Sequence, residues 1–298
     1  MEDAEKISPP SLDSYLKDLG QCKDETDGFY SVFKIDSEYI ETLMRRETNL
    51  ESDGKYYPVN SGTNWLKSAR LGAIKCILDV RVSSHIFALQ TRARFGFHFG
   101  TAYLSLIYFD QFMSGKTIEE EKSQSVQLLA LVCLSLAAKM KESKARTSAI
   151  YIGNGFTLKG NAIAKMELSI LTNLEWRMWR VTPFAYLEYF INKFCGELGH
   201  KELATRATEL TLLLMEDINV AEHWPSAVAA AAVLAAYDCG LTKSIVEMKM
   251  KEVPLILEKD HTLSCYSLLQ RIVALKSETP APSHDQKPLQ NATKETDE

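Results

Sequence analysis

Apolar residues recur with helical spacing along most of the chain, from position 65 to about position 276. In the first such segment they return at intervals of three, four and seven residues, which predicts one buried helix face. That face consists of Trp65, Leu66, Ala69, Ala73, Ile74, Ile77 and Leu78. The same spacing predicts helices at about 101–112, 119–141 and 161–174, with a poorly defined element at about 144–156.

A second set of helices follows the first. Thr182 and Pro183 predict a helix start, because threonine can cap free backbone N–H groups and proline suits the first helical position. Helices are then predicted at about 184–194, 203–218, 225–236, 243–257 and 261–275. The third helix of each set is apolar on almost every side, which is typical of the centre of a bundle. We therefore predict an all-α fold with two tandem domains of about five helices each.

The two ends of the chain differ in composition from this middle part. Residues 1–60 hold 14 Asp or Glu against 7 Lys or Arg, and we predict a flexible acidic arm over 1–37. After it, Tyr39, Ile40, Leu43 and Met44 predict a short amphipathic helix that docks on the first domain. Beyond position 276 one large apolar residue remains, which predicts a disordered tail over 277–298. The predicted domains are thus 38–178 and 179–276.

Composition and charge exclude several classes of protein. No run of 18 apolar residues is present, so we expect no membrane span. The six cysteines are scattered, which favours free thiols in a reducing compartment over a disulfide framework. A net charge of −5 without a basic stripe argues against binding to nucleic acid.

Motifs of enzyme chemistry are also missing from the sequence. It has no phosphate-binding G-x-x-x-x-G-K-S/T loop and no G-x-S-x-G nucleophile elbow. Its six histidines lack the spacing of metal ligands. We therefore expect neither catalytic residues nor a metal or other cofactor.

Several segments taken together resemble the cyclin family, and in particular the D-type cyclins of plants. These segments are 101–112 (TAYLSLIYFDQF), 134–142 (LSLAAKMKE), 165–171 (KMELSIL), 172–178 (TNLEWRM) with 181–184 (VTPF), and 224–236 (WPSAVAAAAVLAA). The resemblance covers about 38–276. The resemblance implies two tandem cyclin folds. It also implies a non-enzymatic regulatory subunit that binds and activates a cyclin-dependent Ser/Thr kinase at the G1/S transition. The implied location is the nucleus and the cytoplasm. Kinase inhibitors and substrates are further implied partners.

The resemblance also implies the residues of the kinase contact. Lys139 and Glu167 match the lysine and glutamate with which the family holds the kinase beside its helix C. A cation and a carboxylate can hydrogen-bond backbone groups of a partner. The alternative is a purely local role. Lys139 ends one predicted helix and Glu167 lies near the start of another, and a lysine favours a helix C-terminus whereas a glutamate favours a helix N-terminus.

A second implied site is the substrate-docking patch, which takes Arg-x-Leu peptides. The matching positions are Ala69, Gly72, Ala73, Cys76, Asp79 and Gln127. Cys76 stands where the family usually has tryptophan, and a thiol offers far less contact area than an indole. We therefore expect a weakened or altered docking groove.

Arg70 and Asp110 match the family's internal ion pair, whose role is structural. Gln111, in contrast, replaces an arginine of the family signature.

Four further segments depart from the pattern of plant D-type cyclins or add to it. Residues 80–90 are either a surface loop or an intron read through in the gene model. The small and polar residues of 142–150 predict a short fourth helix. Leu19, Cys22 and Glu25 have the wrong spacing for the Leu-x-Cys-x-Glu motif, so we expect weak or no binding of retinoblastoma-type pocket proteins. Thr279 precedes Pro280 and is a candidate site of proline-directed phosphorylation.

Two other functional classes compete with a kinase-activating cyclin. One is a cyclin-fold adaptor without a kinase partner, similar to general transcription factors, but that class typically has a basic surface and often a zinc ribbon. The other is an all-helical enzyme, which the missing motifs disfavour. The sequence thus favours the kinase regulator.

Overall fold

The computed structural model describes residues 37–52, 64–78, 97–114, 123–142, 150, 160–196, 200–253 and 257–278. In these ranges the chain forms ten α-helices, two short 3₁₀-helices and no strand. The α-helices are α1 Ser37–Ser52, α2 Asn64–Leu78, α3 Phe99–Ser114, α4 Ser123–Lys141, α5 Gly160–Asn173, α6 Leu187–Cys195, α7 His200–Met215, α8 Pro225–Tyr237, α9 Lys243–Met250 and α10 Lys259–Glu278. The 3₁₀-helices are Pro183–Ala185 and Ile218–Glu222.

This architecture confirms the predicted all-α fold with two sets of helices. In the first set α4 packs against α2, α3 and α5, and in the second set α8 packs against α6, α7 and α10. Every residue of 129–138 in α4 and of 226–236 in α8 is buried. The two helices that are apolar on all sides are therefore the central ones, as their sequences predict.

The N-terminal helix α1 is amphipathic, as predicted, and its described polar contacts reach beyond the first domain. Ile40, Leu43 and Met44 are buried. The Glu47 carboxylate on the same face bonds Ser226 at the start of α8. Arg46 lies over the ring of Trp179, 5.8 Å from its centroid. These contacts join α1 to the linker and to the second domain, and its docking on the first domain stays a prediction.

Several predictions fall outside the described residues and stay predictions. They concern the acidic arm, the segment 80–90, the tail beyond 278 and the fourth helix of the first set, of which one buried residue, Ile150, is described. Asp79, Thr279 and the Leu19–Cys22–Glu25 motif also lie outside the described part of the chain.

Candidate functional site

The side chains of Lys139 and Glu167 meet where α4 packs on α5. Lys139 is in the last turn of α4, and its Nζ lies 2.6 Å from Oε1 of Glu167. Ser135, one turn earlier on α4, donates its hydroxyl to the same carboxylate oxygen at 3.0 Å. Two helices and a third side chain thus fix the orientation of the glutamate.

The position of Glu167 corrects the sequence analysis. It was placed near the start of its helix, but it is the eighth of the fourteen residues of α5. The helix macrodipole acts mainly within the first and last turns. Stabilisation of a helix N-terminus therefore does not account for this glutamate.

The ion pair lies at the surface and has capacity for further bonds. The lysine side chain is 44% exposed and the glutamate side chain 16% exposed. An ammonium group has three donors and a carboxylate accepts up to about four hydrogen bonds, so both groups can bond a partner while they bond each other. Met140 and Leu168, the next residues along the chain, are exposed apolar side chains. Exposed apolar side chains rimmed by polar groups are typical of a site of protein–protein interaction.

The residues of the predicted docking patch lie on α2 and α4, but at different depths. Ala69 and Ala73 are buried, so they can form at most the floor of the patch. Gly72 and Cys76 are half-buried and Gln127 is exposed. The Cys76 thiol donates to the backbone oxygen of Gln127 at 3.9 Å, which joins the two helices across the patch. Among the described residues of the patch, the solvent-facing ones therefore have small side chains or, at Gln127, an amide.

Replacing Gly72 by alanine is expected to raise the free energy of unfolding by about 0.5–1 kcal/mol, because glycine in a helix interior loses more backbone entropy than alanine. A Cβ at Gly72 would lie 4.0 Å from Cγ1 of Val126, which is ordinary van der Waals contact. Urea denaturation of the two proteins measures the difference. A clear loss of stability in Gly72→Ala would show that the two helices pack more closely than described.

Arg70 and Asp110 form a buried ion pair that extends further than the sequence indicates. Arg70 Nε lies 3.0 Å from Oδ1 and 3.1 Å from Oδ2 of Asp110, which joins α2 to α3. A terminal guanidinium nitrogen of Arg70 also donates to the backbone oxygen of Met215 at 2.6 Å. Met215 is the last residue of α7, so the arginine connects the first domain to the second. Burial raises the pKa of the Asp110 carboxyl, and Arg70 opposes that rise.

The end of α4 makes contacts that the sequence analysis missed. Glu142 accepts from the backbone N–H of His98 at 3.0 Å and from the Thr101 hydroxyl, so it caps the start of α3. Lys141 bonds the Thr182 hydroxyl at 3.4 Å, next to the first 3₁₀-helix. The helix that carries Lys139 is thereby tied to α3 and to the linker, which keeps its last turn in place.

The described residues offer neither a cluster of metal ligands nor a membrane-spanning helix. Among them no group of three or more His, Cys, Asp or Glu side chains could hold a metal ion. In the same part of the chain no helix is long and apolar enough to cross a membrane.

Comparison with protein families and known proteins shows where this arrangement recurs. The model of the cyclin N-terminal domain matches residues 73–179, and that of the cyclin C-terminal domain matches residues 181–296. A solved viral cyclin from herpesvirus saimiri has the same fold, with a TM-score of 0.59 at 14% identity over 78% of this chain and 95% of that one.

Similar curated proteins are plant D-type cyclins. Cyclin-D5-1 of Oryza sativa subsp. japonica is 36% identical over 69% of this chain and 55% of its own length. Cyclin-D5-2 of the same plant is 33% identical over 69% and 58%, and cyclin-D5-1 of Arabidopsis thaliana is 32% identical over 65% and 64%. The chain thus spans less than two thirds of the length of these relatives. With both domain models matched and the tandem fold in place, the chain belongs to the cyclin family, among relatives of the plant D type.

Proposed function

We propose that this protein is a regulatory subunit that binds and activates a cyclin-dependent Ser/Thr kinase, and that it acts in cell-cycle progression at the G1/S transition. The observation that carries the proposal is the exposed Lys139–Glu167 pair, fixed by Ser135 and flanked by Met140 and Leu168. D-type cyclins are also what the chain resembles in sequence.

In the proposed mechanism, this protein activates the kinase by holding the kinase's helix C in position. A protein kinase is active when a lysine–glutamate ion pair forms between its strand β3 and its helix C, which requires that helix C be held inward. A surface on α4 and α5 can hold that helix without rearranging, because the last turn of α4 is tied to α3, to α5 and to the linker. All the catalytic groups then belong to the kinase.

Co-purification with a cyclin-dependent kinase tests the binding step. The wild-type chain is expected to retain the kinase on an affinity column, and the single charge reversals Lys139→Glu and Glu167→Lys are expected to lose it. Each reversal puts an acceptor in place of a donor, or a donor in place of an acceptor, where the kinase backbone is bonded, and leaving a buried interfacial charge unpaired costs about 2–5 kcal/mol. Retention of the kinase by both variants would rule out the proposed contact.

The docking patch gives a separate expectation for substrate selection. Binding of an Arg-x-Leu peptide is expected to be weak, because Cys76 offers little apolar surface where the family has an indole. Cys76→Trp is expected to raise peptide affinity by about tenfold, which corresponds to roughly 60 Å² more apolar area buried by the peptide. Fluorescence titration with a labelled peptide measures both affinities. Tight binding by the wild type, or no gain in the variant, would contradict the assignment of the patch.

A further inference from the structure

A buried carboxylate joins the N-terminal helix to the second domain. Glu47 of α1 is 7% exposed, and its Oε1 accepts the backbone N–H of Ser226 at 3.2 Å. The Ser226 hydroxyl lies 2.7 Å from Oε2 of the same carboxyl group. Ser226 is the second residue of α8, so Glu47 satisfies one of the N–H groups that the start of this central helix leaves open.

Within the described part of the chain, the surroundings of Glu47 supply hydrogen bonds but no compensating cation. The cations beside it on α1 are engaged elsewhere, since Arg45 pairs with Glu41 and Arg46 lies over Trp179. Among the described ion pairs none includes Glu47. A carboxylate buried without a cation is costly when charged, because burial removes its hydration.

Other ionisable groups face this junction from three further elements. Tyr186, just before α6, and Tyr103, on α3, lie close enough to interact electrostatically with Glu47. On α10, Nδ1 of His261 accepts from the backbone N–H of Trp224 at 3.4 Å, at the same end of α8. The His223 ring lies 5.1 Å from that of His261. Burial lowers the pKa of His223, and burial raises the pKa values of both tyrosines, so the histidine and the tyrosines are neutral near pH 7.

We propose that the Glu47–Ser226 contact is a proton-dependent clasp, which holds α1 on the second domain when Glu47 is protonated and loosens when Glu47 is ionised. The protonated carboxyl keeps both contacts, because its carbonyl oxygen accepts the Ser226 N–H and its hydroxyl donates to the Ser226 oxygen. The ionised form keeps the same number of bonds but carries a buried charge. Release of α1 exposes that charge to water.

The pH range of the clasp follows from the cost of burying the charge. Burial raises the pKa of Glu47 from 4.5 to about 7, although the bonds from Ser226 act in the opposite direction. Docked α1 therefore holds the proton more tightly than released α1, and docking weakens as the pH rises from about 4.5 to about 7. Between pH 6 and pH 8 the docking equilibrium constant is expected to fall about tenfold, given these two pKa values.

Hydrogen–deuterium exchange of the full chain tests the clasp. After correction for the pH dependence of intrinsic exchange, protection of the 37–52 peptides is expected to fall about tenfold from pH 6 to pH 8. Glu47→Gln keeps an acceptor and a donor for Ser226 without a charge, so its protection is expected to be the same at both pH values. A flat profile in the wild type, or a tenfold fall that persists in Glu47→Gln, would overturn the proposal.

Two further variants separate the clasp from its neighbours. His261→Gln changes the other contact at the start of α8. This variant is expected to keep the tenfold fall in protection of α1 between pH 6 and pH 8. If the fall is lost, the effect belongs to the histidine pair and the proposal is overturned. Ser226→Ala removes a hydrogen bond that favours the ionised carboxylate of Glu47. The fall in protection of α1 is therefore expected to have its midpoint at higher pH than in the wild type. A midpoint at or below the wild-type value would also contradict the clasp.

Discussion

Replacing Arg70 by methionine is expected to lower the free energy of unfolding by about 3–5 kcal/mol, the range for a buried ion pair that loses one partner. Arg70 is 3% exposed and Asp110 is 6% exposed, so the remaining carboxyl group stays buried without its cation. The variant also removes the hydrogen bond from Arg70 to the backbone carbonyl of Met215, the last residue of α7. This is the only described side-chain bond to that carbonyl. Urea denaturation followed by circular dichroism measures the change.

Two variants serve as controls for this result. Arg45→Met removes another arginine–carboxylate pair, but its side chain is 75% exposed, and the expected change is below about 0.5 kcal/mol. The double variant Arg70→Met with Asp110→Leu removes the stranded carboxyl group and is expected to recover much of the lost stability. A loss below about 1 kcal/mol in Arg70→Met would show that the bonds of Arg70 to Asp110 and to Met215 contribute little to stability.

Exchanging the two charges of the proposed kinase-binding pair is expected to weaken kinase binding by at least about thirtyfold, since mispairing a charge that the partner buries costs about 2 kcal/mol or more. The exchange combines Lys139→Glu with Glu167→Lys. An ion pair between α4 and α5 is retained, so the fold is expected to survive while the charges presented to the kinase are reversed. Titration of the kinase with each protein measures the Kd.

A matched exchange in the second domain controls for effects of net charge. Lys259 lies 3.0 Å from Glu247, joining α10 to α9, and exchanging these two charges leaves composition and net charge unchanged, as the first exchange does. Its Kd is expected to stay within about threefold of the wild-type value, because exposed pairs contribute little. Equal Kd values for the two exchanged proteins would show that the Lys139–Glu167 pair is not part of the kinase interface.

The regular part of the fold could be predicted from the sequence because helix periodicity is a local property. The all-apolar segments of α4 and α8 identify the two central helices without any knowledge of their neighbours. The predicted positions of helix ends were less accurate than the predicted helices themselves. The helix predicted to run to 257 ends at Met250, and Pro254, which lies beyond that end, disfavours helical backbone before it.

The contacts between domains could not be predicted, since they join residues that are distant along the chain. Glu47 and Ser226 are 179 positions apart, and Arg70 and Met215 are 145 positions apart. One local signal was present: Glu47 continues the spacing of Ile40, Leu43 and Met44 and so places a carboxylate on an apolar face. Such a residue indicates a buried polar contact but does not identify its partner.

The proposed kinase-binding pair was identified by resemblance, and its geometry comes from the structure. Periodicity alone gives Lys139 and Glu167 no distinction from other charged residues near helix ends. The structure adds that Glu167 lies in the middle of α5, where Ser135 and Lys139 both bond it. Helix-end electrostatics therefore does not explain this glutamate.

Kinase activity measured with and without this protein tests the central claim most directly. A cyclin-dependent kinase is incubated with ATP and histone substrate alone, with the wild-type chain, and with the chain carrying the exchanged Lys139 and Glu167 charges. The account predicts phosphorylation that rises with wild-type concentration to saturation and stays near the level of the kinase alone with the exchanged protein. Binding of the wild type without any increase in phosphorylation would contradict the account and would favour a cyclin-fold adaptor.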